Sequence, residues 1–297
     1  MLNIYNLSSP PRNVPLLVKS NLLFGGMLNQ LGWFFFGFGL IFAWVFALNA
    51  DVLSWYYFSL KTESVSGQVS SSQRTSFSVG GGKHSDGTPV YANHYTYQTD
   101  GHVTYKGISY ATGKQLQAGT DVQVEYVKAH PNISRIKGMR MSAFGPWVLF
   151  VLIFPAIGFI FIVIGVKSGL KAIRLLRYGK VGLGTLKSKL PTNTRINNQI
   201  VYKLAFEFTA GNGSKYEAVA KTHKPEVLED NAQEQLLYEE TNPAYAVMLD
   251  SLPGGPRIDE QGLIQVRSYL SGLPVMIVPF LTIVGHGIYL FIRLGTL

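Results

Sequence analysis

Three long blocks without Asp, Glu, Lys or Arg constrain this sequence more than any other feature. They run over residues 31–48, 143–166 and 270–292, and the aromatic residues up to Phe58 extend the first block. An α-helix needs about 20 apolar residues to cross a hydrocarbon core about 30 Å thick. Backbone polar groups find no partner in lipid, so each crossing must be helical. The sequence therefore predicts a multi-pass protein of the cell membrane, with helices at 31–58, 143–166 and 270–292.

The alternative for each block is a buried core helix, which uncharged runs of this length disfavour. The first block begins at residue 31, and no clear small-residue cleavage site follows it, so it resembles an uncleaved signal anchor. Residues 1–30 form an N-terminal segment whose later part, from Leu16 to Met27, is expected to lie along the membrane surface. Residues 293–297 form a short C-terminal tail.

The amino-acid composition excludes several kinds of functional site and partner. Only 14% of the residues are charged, against about a quarter in a typical soluble domain. The chain has no cysteine, which excludes disulfides, thiolate metal sites and a cysteine nucleophile. The net charge of +9 is assigned to the flanks of membrane helices, because no nucleic-acid fold signature accompanies it. The lipid bilayer is thus the predicted partner, and nucleic acid is not.

Basic residues near the helix ends predict the orientation. Five basic residues follow the second block: Lys167, Lys171, Arg174, Arg177 and Lys180. Three precede it: Arg135, Lys137 and Arg140. Positive charge favours the cytoplasmic side. The N-terminus and the loop after the second block are therefore expected in the cytoplasm. The loop before that block and the C-terminus are expected outside it.

The two loops between the blocks, 61–138 and 180–265, resemble each other. Paired landmarks keep an offset of 111 or 112 residues, which suggests a duplication; they include Tyr95 and Phe206, Tyr105 and Tyr216, and Tyr126 and Tyr238. Alternating apolar residues around Asp100-Gly101 and Gly211-Asn212 predict hairpins. Each loop should form four or five strands, as an OB-like barrel or an open sheet. The predicted fold class is an α+β membrane protein with three transmembrane helices and two small duplicated all-β domains.

The first of these domains carries a series of landmarks in a fixed order. They are Gly67-Gln68-Val69, Tyr95-x-Tyr97, Tyr105-x-Gly107, Leu116-x-x-Gly119-x-x-Val122-x-Val124-x-Tyr126 and Pro131-Asn132-x-Ser134. This order resembles the bacterial membrane family catalogued as domain of unknown function 3592. The resemblance covers Ser64–Ile136 closely and Gly182–Met248 more loosely, because the second copy lacks the Gly119 landmark. It implies a β-domain beside transmembrane helices of the bacterial inner membrane, and it implies no activity.

One ionisable residue lies inside the third block, in the sequence Gly285-His286-Gly287. An ionisable side chain in a membrane helix is a candidate functional residue, and flanking glycines allow another helix to approach. The alternative is a histidine close enough to the helix end to be tolerated. Further glycines at positions 37, 39, 158, 165 and 169 allow close helix packing and suggest a homo-oligomer.

No catalytic, cofactor or metal site is predicted. The first loop contains His84, His94, His102 and His130, but their spacing matches no known ligand set. Gly80-Gly81-Gly82-Lys83 lacks the spacing of a phosphate loop. No serine elbow or zinc-protease motif occurs, and the three blocks contain no carboxylate for a proton relay.

A basic helix face follows the second block, where the helix is predicted to continue to residue 178. Lys167, Lys171, Arg174 and Arg177 are candidate contacts for anionic lipid, and the alternative is a simple orientation signal. These features favour a non-catalytic binding or scaffold protein with a protein partner or a second copy of itself. A component of a transport or channel complex, using His286, is the alternative. A membrane enzyme is least favoured, and a cluster of His94, Asp100 and His102 would be needed to support it.

Overall fold

The computed structural model describes residues 7–83, 86–229, 232–267 and 269–295. The protein is α+β, with three long apolar helices and two five-stranded antiparallel sheets. The chain divides into two compact units, one made of Met1–Phe38 with Phe154–Leu297 and the other of Gly39–Ile153. The fold class predicted from the sequence is confirmed to this extent.

Five α-helices occur in the described part of the chain. They are α1 (Leu16–Phe24), α2 (Met27–Val45), α3 (Leu53–Tyr57), α4 (Ile153–Tyr178) and α5 (Tyr269–Gly295). A 3₁₀ segment, Pro146–Leu152, precedes α4. Three stretches are long and apolar enough to cross a membrane: Met27–Asn49, Pro146–Tyr178 and Leu273–Gly295. Helix α4 continues through its basic residues to Tyr178.

The first predicted helix, 31–58, has different bounds in the structure. It begins at Met27, and after Val45 it becomes a 3₁₀ turn and then the separate helix α3. Polar side chains explain the break. The Asn49 amide donates to Val45 O at 2.7 Å and so caps the helix end, and the Asp51 carboxylate accepts the N–H of Met141 at 2.9 Å.

The first sheet contains five strands in the spatial order β3-β2-β1-β4-β5. The strands are β1 (Thr62–Val79), β2 (Thr88–Gln98), β3 (Thr104–Thr112), β4 (Asp121–Val127) and β5 (His130–Ile136). Gly67 lies where β1 passes from one neighbour to the other, opposite both Tyr97 and Val122. After β5, Arg140 and Tyr110 exchange two backbone hydrogen bonds. The sheet therefore curls back onto β3 as a partly open barrel.

The second sheet repeats this order, read from the opposite edge, as β10-β9-β6-β7-β8. Its strands are β6 (Lys180–Ile196), β7 (Gln199–Thr209), β8 (Lys215–Thr222), β9 (Glu234–Glu239) and β10 (Asn242–Met248). Its irregularities are also repeated. The register of β1 against β2 shifts between Val69 and Ser71 and between Arg74 and Ser78; that of β6 against β7 shifts between Leu186 and Ser188 and between Pro191 and Arg195.

The sequence landmarks have structural roles in these sheets. A Cβ atom on Gly107 would lie 2.3 Å from the Tyr95 ring, so only glycine lets that ring lie across β3. The predicted β2–β3 and β7–β8 turns are present. The positive φ angles, however, belong to His102 (57°) and Gly213 (77°), not to the residues at the predicted turn centres. Each turn has five residues instead of two, and this moves the left-handed position to its fourth residue.

Three cores hold the described residues together. One fills the first barrel around Tyr95, Tyr97 and Tyr126, and a second fills the other barrel around Phe206 and Leu236. The third core joins helices to the second β-domain. Its members include Val18, Leu22, Leu175, Leu176, Leu237 and Leu252. A small hairpin of β11 (Arg257–Ile258) and β12 (Ile264–Gln265) contributes Ile258 and Ile264 to this core. The helices α1 and α4 and the second β-domain thus share one core.

Candidate functional site

A two-residue helix break lies beside the second β-domain. Helix α1 ends at Phe24, Gly25 and Gly26 form the break, and Gly26 has a φ of 81°. Both α1 and α2 lie against α4, where glycines bring the backbones together. A Cβ atom on Gly169 would lie 2.3 Å from Leu22 O, and one on Gly158 would lie 2.3 Å from Phe36 N. These glycines, which the sequence marked for helix packing, are used inside the chain.

A crevice of about 420 Å³ opens at this break. Its walls come from the helix break, α4, β8, β10 and the segment around Pro253. The polar side chains that line it are Asn29, Ser168, Lys171, Lys221 and Ser251, and no carboxylate lines it. Apolar side chains, among them Leu22, Ile164, Val219 and Val247, form the remainder. The crevice therefore combines cationic and apolar walls.

The lysines of the crevice have no carboxylate ion pair among the described residues. Lys221 extends from β8 and is exposed. The Lys171 Nζ atom lies 3.9 Å from the centroid of the Tyr245 ring, a cation–π contact that leaves the positive charge unneutralised. The eight ion pairs recorded for the described chain include neither lysine. The crevice is accordingly electropositive.

Asn29 is a buried polar residue in the wall of the crevice. Its side chain packs against Gly165, and only 1% of its surface is exposed. The Nδ2 group donates to Leu23 O at 2.5 Å, which fixes the orientation of the amide. The Oδ1 atom is buried and has no hydrogen-bond partner among the described residues. A buried acceptor without a partner costs about 1–3 kcal/mol.

A second crevice, of about 390 Å³, lies on the other side of the same break. It shares Gly25, Gly26 and Pro253 with the first crevice. Asn21 lines it, and the Asn21 Oδ1 atom is also buried without a partner among the described residues. The helix break is thus flanked by two buried amides, each with an unused acceptor.

The beginning of α2 contributes further donors. Met27, Leu28 and Asn29 form its first turn and line the first crevice. The first N–H groups of an α-helix have no acceptor within the helix, and the helix dipole makes this end electropositive. Backbone N–H groups and lysines together form a suitable environment for a phosphate group.

The four basic residues of the predicted lipid-binding face have different surroundings. Lys171 lines the crevice, and Lys167 is exposed one turn earlier. Arg174 forms an ion pair with Glu239 of the second β-domain, and the Arg177 guanidinium lies 5.1 Å from the centroid of the Tyr178 ring. The structure therefore places Lys171 at the candidate site, whereas Arg174 is paired with a carboxylate of the same chain.

Arg12 stabilises the end of α4. Its guanidinium donates to Leu176 O at 3.2 Å and to Gly179 O at 2.8 Å, and its N–H donates to Arg177 O at 2.9 Å. The last carbonyls of a helix lack donors within the helix, and a cation is favoured there. Burial lowers the pKa of the Arg12 guanidinium. This arginine holds the N-terminal segment on the helix end.

His286 packs against α2. Its Nε2 atom lies 3.0 Å from Gly37 O, and a Cβ atom on Gly37 would lie 2.5 Å from Thr282 Oγ1. The close approach between α2 and α5 thus occurs at Gly37. Cβ atoms on Gly285 or Gly287 would meet nothing within 4 Å among the described residues, so the glycines that flank His286 do not make this contact.

The cluster of His94, Asp100 and His102 that would support an enzyme is not formed. His94 lies in the middle of β2, opposite Ile108, whereas Asp100 and His102 lie in the turn after that strand. The strand continues from His94 to Gln98, which corresponds to roughly 13 Å at about 3.3 Å per residue. His84 lies outside the described residues. Within the described ranges, no group of three or more His, Asp or Glu side chains is placed to hold a metal ion.

Comparisons with known proteins add no relative. No family model matches the sequence, and no curated protein matches it. A solved structure described as a replication protein A heterotrimer bound to single-stranded DNA is matched with 8% identity and a TM-score of 0.18. That match covers 72% of this chain and 51% of the other, so the chain spans about half its length. A TM-score this low supports no conclusion about fold, and the resemblance to the family of unknown function stays a prediction.

Sequence reasoning missed several residues of the candidate site. Asn21, Asn29 and Lys221 were not singled out, although Gly25-Gly26 between two apolar runs is a recognisable break signal. Asn29-Gln30 is also a polar pair at the start of an apolar helix. Lys221 had no such signal, because only the fold brings β8 next to α4.

Proposed function

We propose that this protein is an integral, multi-pass membrane protein. The supporting observation is the exposure of its long helices. Only 28%, 22% and 11% of the most apolar stretches of the three helices are buried within the chain. Large apolar side chains are exposed on all three, such as Phe34 at 52%, Phe159 at 55% and Phe291 at 81%. Surfaces this apolar mark a membrane or a partner, and the length of each helix fits a bilayer.

The proposed orientation follows from the basic residues around α4. Lys167 and Lys171 follow its apolar part, and Arg174 and Arg177 extend the basic face. Positive charge is retained in the cytoplasm. The N-terminus and the second β-domain are therefore assigned to the cytoplasm, and the first β-domain and the C-terminus to the other side of the membrane.

We further propose that the two β-domains arose by duplication. The matched strand order and the matched positions of the register shifts support this. The chain is also proposed to belong to the bacterial inner-membrane family of domain of unknown function 3592. The backbone roles of Gly67 and Gly107 support that assignment, because both positions admit only glycine without rearrangement.

The function that the site supports best is non-catalytic binding. The helix break carries a crevice with cationic groups and apolar walls, an arrangement that suits an anionic headgroup. The barrels present strand edges, on which protein partners can add a strand. The contact of His286 with Gly37 O gives that histidine a packing role, which favours binding over transport.

Two measurements on the full-length chain test this proposal. Alkaline carbonate extraction of membranes should leave the protein in the pellet, and release into the supernatant would contradict membrane insertion. Proteoliposomes with an internal pH-sensitive dye should show no proton flux above that of empty vesicles under an imposed potential. A flux that disappears in the His286→Ala variant would overturn the binding proposal in favour of transport.

A further inference from the structure

We propose that the crevice at the Gly25–Gly26 break binds one anionic phospholipid, such as phosphatidylglycerol. This inference rests on the proposed membrane insertion and adds the chemical class of the ligand. It is independent of the two β-domains' orientation and of the family assignment.

The depth of the crevice is the first observation. Ile164 lines it on the apolar part of α4 and is 48% exposed, and Lys171 lines it two turns later. Lys167, the first charged residue after the apolar block, lies between them in sequence. In an inserted helix, this change from apolar to basic marks the boundary between acyl chains and headgroups. The crevice then opens at headgroup depth.

The charge of the crevice selects an anionic ligand. Lys171 and Lys221 line it, the start of α2 adds backbone N–H donors, and no carboxylate lines it. Helix N-termini and lysines both favour phosphate. A basic side chain near an anionic membrane adds about 1 kcal/mol to binding. A lipid with a net negative charge should therefore be favoured over a zwitterionic one.

The apolar wall explains why a lipid is favoured over a free phosphate ester. Leu22, Ile164 and Val219 line the crevice, and Val219 is 47% exposed. An acyl chain leaving the headgroup would cover such side chains, whereas a soluble phosphate ester would leave them in water. Burial of apolar surface contributes roughly 25 cal/mol per Å², so acyl chains should raise the affinity.

The test uses the full-length protein purified in a neutral detergent and titrated with lipid, with the unfolding temperature as readout. Phosphatidylglycerol should raise this temperature by about 5 °C or more through preferential binding to the folded state. Phosphatidylcholine should raise it little. In the Lys171→Gln/Lys221→Gln variant, the apparent affinity for phosphatidylglycerol should fall roughly 25-fold.

A matched variant separates the lysines of the crevice from general charge. The Lys106→Gln/Lys114→Gln variant loses the same charge on the exposed surface of the first β-domain and should respond like the wild type.

Three results would overturn the inference. One is an equal loss of apparent affinity for phosphatidylglycerol in both double-lysine variants, which would show that the overall charge of the protein causes the effect. Another is an equal response to phosphatidylglycerol and phosphatidylcholine. The third is full stabilisation by sn-glycerol 3-phosphate, which would make the ligand a soluble ester. Release of the protein by carbonate would instead contradict membrane insertion, so the two failures are distinguishable.

Discussion

The Gln30 side chain donates from Nε2 to the backbone O of Val275 at 2.8 Å. Val275 O is the carbonyl whose helical donor would be the N–H of residue 279, which is a proline. Gln30 therefore replaces the hydrogen bond that Pro279 removes from α5. The same amide group also donates to Phe24 O at 2.6 Å, so one side chain satisfies two backbone carbonyls without helical partners.

The first prediction follows from this contact. Replacing Gln30 with Leu should lower the free energy of unfolding by about 1–3 kcal/mol, because two carbonyls lose a donor. Reversible unfolding in mixed micelles with increasing sodium dodecyl sulfate measures the change.

A second proline variant provides the control. Pro279→Ala restores the N–H of residue 279, and in that background Gln30→Leu should have a clearly smaller effect. An equal loss in both backgrounds would show that Gln30 acts through packing and not through Val275 O.

The second prediction concerns the contact between α2 and α4. A Cβ atom on Gly158 would lie 2.3 Å from the backbone N of Phe36, and backbone atoms cannot rotate away as a side chain does. Gly158→Ala should therefore separate the helices and lower the free energy of unfolding by about 1–3 kcal/mol. Chemical unfolding in the same micelles measures it.

Gly285→Ala is the matched control. This substitution also adds one methyl group to a long apolar helix, but it meets nothing within 4 Å among the described residues. It should be neutral or slightly stabilising, because alanine favours the helix by about 1 kcal/mol over glycine. Equal destabilisation by both substitutions would contradict the assigned helix contact.

The third prediction concerns Tyr95, which is buried in the first barrel. Its hydroxyl group lies 2.9 Å from Ser134 Oγ, and burial raises the pKa of Tyr95 to about 12. Because the folded-state pKa lies above the unfolded value of 10.0, the associated stability is fully present below pH 10 and is lost as the pH rises toward 12. Ultraviolet absorbance of tyrosinate in an alkaline titration follows this ionisation.

Tyr95→Phe should remove one late-titrating tyrosine and weaken the loss of stability at alkaline pH. Tyr105→Phe, at a partly exposed position on β3, serves as the control and should leave the late phase in place. An unchanged late phase in Tyr95→Phe would contradict the burial of this hydroxyl group.

Local sequence patterns predict much of the fold. The uncharged blocks predicted the three long helices, because apolar length alone defines them. Tyr95 and Tyr97 alternate with polar residues along β2, which predicted a strand with one buried face. The constant offset between the loops predicted a repeat, and the two sheets have the same strand order and register shifts at corresponding places in β1 and β6.

The sequence predicted less of the candidate site, because the site combines residues that are far apart in the chain. Asn29, Lys171 and Lys221 come from α2, α4 and β8, and no periodicity links them. The positive φ of His102 was also missed, since the turn length depends on where the strand pairing ends. Local patterns identify elements, whereas the packing of those elements determines which polar side chains meet.

The most direct test of the account is the side of the membrane on which each β-domain lies. The chain has no native cysteine, so single cysteines can be introduced at the corresponding final turn residues Val103 and Ser214. Both positions are exposed. Intact cells are treated with a membrane-impermeant thiol reagent, and permeabilised cells serve as the control. We predict that Val103→Cys is labelled in intact cells and that Ser214→Cys is labelled only after permeabilisation. Labelling of both in intact cells, or of neither, would place the two β-domains in one compartment and contradict the three-helix membrane topology.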